Sequence, residues 1–125
     1  MKRVILATLL LGTSALATAA EYVKPNGSLS LVAGVAGVAG GNVVEFNINA
    51  ASKDASGICN MEGSAQSISV GENQKHRWVY NDKSSQCVAV ISEQNSGKVA
   101  VMTKECEGYC GMTAAGSMDG IYRKK

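Results

Sequence analysis

The chain has 125 residues and a formal charge of +2, from 12 Lys and Arg against 10 Asp and Glu. Lys2 and Arg3 lie in an N-terminal stretch that reads as removable, and without them ten cations face ten carboxylates. That balance argues against nucleic acid as a partner, which calls for a strong basic excess, and against attachment to anionic lipid by net charge alone.

Residues 1–20 have the layout of a secretory signal peptide. Lys2 and Arg3 precede the apolar run Val4 to Leu11, and small residues lead to Ala17-Thr18-Ala19-Ala20, an A-x-A cleavage pattern. The run is too short to cross a hydrocarbon layer of about 30 Å. No Cys follows the cut after Ala19 or Ala20, so a lipoprotein anchor is not expected. The expectation is a periplasmic or secreted protein with no membrane span after cleavage.

Residues 21–42 read as a flexible, Gly-rich N-terminal segment. Pro25-Asn26-Gly27-Ser28 is turn chemistry, and Leu29 to Val32 is a short possible strand. Gly34, Gly37, Gly40 and Gly41 punctuate a Val-Ala-Gly triplet, read as a loop. Gly37 and Gly41 form a G-x-x-x-G pair, but Leu29 to Gly40 is too short to span a membrane. No Lys-Ser/Thr pair follows to hold a phosphate.

Residues 43–125 read as a disulfide-stabilised β-domain. Val44, Phe46, Ile48 and Ala50 alternate with Glu45, Asn47 and Asn49, the mark of a strand with one wet face. Further strands are expected over 57–65, 67–70, 76–80, 86–92, 98–103 and 121–123, with polar turns between them. A short helix is possible over 112–117, and Arg123-Lys124-Lys125 reads as a solvated basic end. Strands recurring every ten or so residues, with one proline in the chain, indicate an all-β fold: a small antiparallel β-sandwich or barrel.

Cys59, Cys87, Cys106 and Cys110 make an even count in a small exported chain, which predicts two disulfides. A zinc site is disfavoured because no C-x2-C pair occurs. Hairpin register favours Cys87 with Cys106 and Cys59 with Cys110. Cys59–Cys87 with a tight Cys106–Cys110 loop stays open as the other scheme.

Catalytic chemistry is sparse. His76 is the only histidine, placed mid-strand beside Arg77 and Trp78, and reads as a surface or packing residue. Gly63-Ser64-Ala65-Gln66-Ser67 misses G-x-S-x-G, and no H-E-x-x-H occurs. Nothing singles out a carboxylate pair. Trp78 and Tyr80 share one strand face and read as core. The expectation is a non-enzyme with no catalytic, cofactor-binding or metal residues and no cofactor. The candidate partner-binding residues are Glu105, Glu107 and Tyr109, an acidic and aromatic loop in which the two carboxylates flank Cys106 and Cys110 follows Tyr109.

The cadence Cys59-Asn60-Met61-Glu62-Gly63, Gln86-Cys87-Val88, Cys106-Glu107-Gly108-Tyr109-Cys110-Gly111 and Asp119-Gly120-Ile121-Tyr122 resembles small exported β-domains of Gram-negative bacteria. It is similar, over residues 44–123, to the cysteine-containing domains of lysozyme-inhibitor-like envelope proteins. The Ser-Gly-x-x-Tyr signature of the best-known inhibitors is absent, so no inhibitory residue is carried over. The resemblance implies a non-enzymatic binding protein whose partner is another secreted or envelope protein, a lysozyme-type hydrolase or a toxin. A structural or immunity role in the envelope is the alternative expectation.

Overall fold

The computed structural model describes residues 18–33 and 43–125. Eight strands follow one another: β1 (Thr18–Lys24), β2 (Gly27–Ala33), β3 (Val43–Ala51), β4 (Ile58–Ser67), β5 (Gln74–Asn81), β6 (Val88–Gln94), β7 (Val99–Lys104) and β8 (Gly120–Lys124). Each pairs antiparallel with its neighbour in sequence, and β1 pairs with β8 to close a barrel. Between the two alternatives the sequence left open, the fold is the barrel.

Alternation decides what the barrel encloses. Successive strand side chains point to opposite faces, so Val44, Phe46, Ile48 and Ala50 of β3 are buried while Glu45, Asn47 and Asn49 face outward. On β4, Cys59, Met61 and Ala65 are buried by the same rule. Gly63 takes the remaining inward position, where an added Cβ would lie 2.7 Å from Cε1 of Tyr80. The missing side chain admits the Tyr80 ring, which meets Phe46 edge-on at 5.1 Å. Trp78, Ile91, Val101 and Tyr122 continue the packed interior, so Trp78 and Tyr80 take the core role expected of them.

Several boundaries differ from the sequence reading. Glu21–Lys24 and Gly27–Ala33 belong to the barrel rather than to a flexible segment, because Tyr22, Leu29 and Leu31 supply a buried inner face. Asn26, at φ 62°, makes the tight turn between them. The Gly-rich run 34–42 and residues 1–17 of the expected signal peptide lie outside the described residues. The expected cut after Ala19 or Ala20 falls inside β1 and leaves Glu21–Lys24 paired with Gly27–Ser30. Residues 67–70 form no strand of their own: β4 runs through Ser67, and the Ile68 amide then bonds the Arg77 carbonyl at 2.8 Å. The expected helix near 112–117 is a single 3-10 turn, Met112–Ala114. Arg123 and Lys124 are part of β8, not a free tail, and the Lys125 amide bonds the Glu21 carbonyl at 2.9 Å.

The β4–β5 seam is joined only at Gln66↔Val79 and Ser67↔Trp78, as few register pairs as join β1 with β8. Beyond those pairs the strands part, and the long connection from β7 to β8 fills the opening. Cys110 forms a lone bridge with Cys59, and the Gly111 amide bonds the Ile58 carbonyl at 2.9 Å. Both disulfides lie here, Cys59–Cys110 and Cys87–Cys106. The β6–β7 register, ending at Val88↔Lys104, sets Cys87 beside Cys106 just past the strand ends.

Candidate protein-binding end of the barrel

The turns β1–β2, β3–β4, β5–β6 and the β7–β8 connection gather at one end of an up-and-down barrel. Two of them are built alike. The Ser52 amide bonds the Gly57 carbonyl at 3.1 Å, and the Asp82 amide bonds the Cys87 carbonyl at 3.0 Å. Each turn is tied by an aspartate accepting local donors, the habit that makes Asp a turn residue. Asp54 accepts from the Ser56 amide at 3.0 Å and hydroxyl at 2.7 Å, and from the Ser52 hydroxyl at 2.9 Å. Asp82 accepts from the Ser84 amide at 2.9 Å and hydroxyl at 2.7 Å, and from the Ser85 hydroxyl at 3.0 Å.

Asp82 also receives the Tyr109 hydroxyl at 2.5 Å, and the Tyr80 and Tyr109 oxygens lie 3.1 Å apart. Thus the loop after β7 is fastened to the barrel by two disulfides and by one charge-assisted hydrogen bond. Tyr109 heads the causes that hold the Asp82 carboxyl well below the usual range, with the two serines adding to it. The same bond raises the Tyr109 phenol. Ser56, then Ser52, lowers Asp54 to about 2.

Of the three expected partner-binding residues, Tyr109 is half-buried and uses its hydroxyl within the fold. Glu105 and Glu107 are exposed and make no ion pair among the described residues. Glu105 sits at φ 58°, in the left-handed region where the chain turns out of β7. Glu107 opens the 3-10 turn Glu107–Tyr109. The disulfides therefore present two free carboxylates on a fixed turn, with Tyr109 positioning it from beneath. Asp82, which completes this arrangement, is 27 residues from Tyr109; its only sequence signal is the Asp-Lys-Ser-Ser turn.

His76 lies away from this end. Its side chain is exposed, its Nδ1 is 2.7 Å from Glu93 Oε1, and its ring stacks near Trp78 at 5.4 Å. No three His, Cys, Asp or Glu side chains converge as metal ligands among the described residues. The other polar feature is the outer face of β3 and β4. Asn60 donates to Asn49 at 2.6 Å, Asn49 to Asn47 at 2.7 Å, and Asn47 to Glu62 at 3.0 Å. Ser64 donates to Glu45. These groups satisfy one another, and Glu45, Asn47 and Glu62 line a hollow of about 470 Å³.

The aspartate turns predict the acid limb of stability. Both carboxyls have folded pKa values below the unfolded value of about 3.9. Their contribution is complete above that value and is lost as pH falls through the folded values. Thermal midpoints are expected to hold from pH 7 to about 4 and to drop between about pH 4 and 2, with the Asp82 share lost lowest. In Tyr109→Phe the Asp82 carboxyl loses its first donor, so the midpoint at neutral pH is expected to fall, and the acid drop to become smaller and to end at a higher pH, its onset still set by the unfolded value. An acid profile identical to the parent would remove Tyr109 from this role.

Comparison with family models, with curated proteins and with solved structures found no match for this chain.

Proposed function

We propose that the chain is exported and works by binding another secreted or envelope protein through the disulfide-held end, most concretely as an inhibitor of a lysozyme-type muramidase. The N-terminal layout and the two disulfides support an oxidising compartment. The observation that carries the binding reading is the Glu105–Cys110 turn. Its exposed carboxylates stand on a backbone that is covalently held at Cys106 and Cys110 and fastened through Tyr109. A pre-formed turn gives up little conformational freedom on docking, and free carboxylates steer a cationic partner such as a lysozyme.

The test adds the oxidised protein to muramidases of several classes and follows cell-wall lysis. Inhibition is expected for at least one class. Glu105→Gln with Glu107→Gln is expected to weaken it roughly tenfold at low salt, mainly through the association rate. Undiminished lysis by every class at micromolar protein would end this reading.

A further inference from the structure

The outside of the barrel is divided by charge in a way that the overall balance conceals. Among the described residues, outward positions of β1 to β4 carry Glu21, Glu45 and Glu62 among serines, asparagines and a few apolar residues such as Val32 and Ile58, with no Lys or Arg. Outward positions of β5 to β8 carry Arg77, Lys104 and Arg123, with Lys98 just ahead of β7, and no Asp or Glu. Carboxylates near this second wall stand at its ends: Glu93 turns to His76, Asp119 accepts the Thr103 amide and hydroxyl, and Glu105 lies past Lys104.

Between the cations runs an apolar strip. Val79, Val90 and Met102 lie in one cross-strand row, and Ala100 and Ile121 in the next. Met102 is 68% exposed and Ile121 50%, high values for such side chains. At the lower end of the wall a hollow of about 460 Å³ is lined by Lys75, Lys98, Arg123 and Lys124, with Tyr22 and Glu93. None of these four cations is in an ion pair among the described residues.

We infer that the β5–β8 wall docks on the surface of an anionic phospholipid bilayer, the cations meeting headgroup phosphates while Met102 and Ile121 enter the interfacial layer. Apolar side chains within a cationic rim are the combination that such an interface rewards. A second copy of the chain fits less well. It would offer its acidic wall, whose asparagines are bonded to one another and whose one large exposed apolar side chain, Ile58, stands at the β3–β4 turn end. A neutral total is no obstacle, because Glu21, Glu45 and Glu62 lie across the barrel, the carboxylates near the wall stand at its ends, and the screening length is about 8 Å at physiological salt.

The test uses protein recovered from the periplasm of an expressing host, sedimented with vesicles of phosphatidylglycerol in phosphatidylcholine and with phosphatidylcholine alone. All variants share one N-terminus, so any retained apolar run contributes equally. Binding is expected only with phosphatidylglycerol and is expected to fall with salt. Each neutralised cation, in Lys98→Gln and Arg123→Gln, is expected to lower partition about fivefold. Met102→Gln with Ile121→Thr lowers it with the salt dependence retained, and Glu45→Gln with Glu62→Gln leaves it unchanged. Circular dichroism and a thiol count confirm that each variant is folded and oxidised. The inference is overturned by equal binding to both lipids, by no loss in the Lys98 and Arg123 variants, or by lipid-independent assemblies that variants on either wall dissolve. The last result would assign the wall to a second copy.

Discussion

Replacing Cys59 and Cys110 together by alanine is expected to cost roughly 4 kcal/mol, among the largest losses available in this fold. The bridge closes a sequence separation of 51 residues, and chain-entropy arguments scale its effect with the logarithm of that length. The Cys87–Cys106 bridge spans 19 and is expected to contribute roughly 3 kcal/mol. Against a domain stability on the order of 5–15 kcal/mol, either loss is a large fraction. The position of Cys59–Cys110 adds a specific consequence. It ties the β7–β8 connection across the β4–β5 seam, where only two residue pairs join the strands. Denaturant titration of the two double variants checks the order. If removal of the shorter loop costs more, the seam is not what the longer bridge protects.

Tyr122→Ala is expected to cost about 3–5 kcal/mol, the range for deleting a large aromatic side chain from a core. Tyr122 is wholly buried on β8, and its hydroxyl donates to the Met118 carbonyl at 2.8 Å. Burial raises its phenol well above the ordinary value, with Asp119 as the lesser cause. β8 has three register pairs with β7 and two with β1, so Tyr122 is the chief inward anchor of the strand that closes the barrel. Tyr122→Phe keeps the ring and leaves the carbonyl without this donor, for an expected loss of about 1–3 kcal/mol. Equal losses in the two variants would mean that the hydrogen bond, rather than the packing, holds β8 in place.

What could be read beforehand follows the range of the interactions involved. The alternation in Val44–Ala50 is local, and that strand was legible residue by residue. In β1 and β2 the same alternation, Tyr22 and then Leu29 and Leu31, is interrupted by a Pro-Asn-Gly turn and runs into glycines, so turn chemistry masked it. Closure into a barrel depends on β1 meeting β8, a pairing between opposite ends of the chain that no short window contains. The Glu105–Cys110 turn was visible from its cysteines, whereas its fastening on Asp82 required the fold. The two charged walls were hidden for a related reason. Their residues alternate with core residues along every strand, and only the register places Lys98 near Arg123 or Glu45 near Glu62.

The pairing of first strand with last governs when this molecule can be finished. A polypeptide delivered N-terminus first, whether from a ribosome or through a translocation channel, can zip adjacent hairpins as they emerge. It cannot seal its circumference until the final five residues of β8 arrive. Cys110 is likewise among the latecomers, so the longer crosslink forms only near the end of delivery. Until then the nascent barrel stays open between β1 and β8.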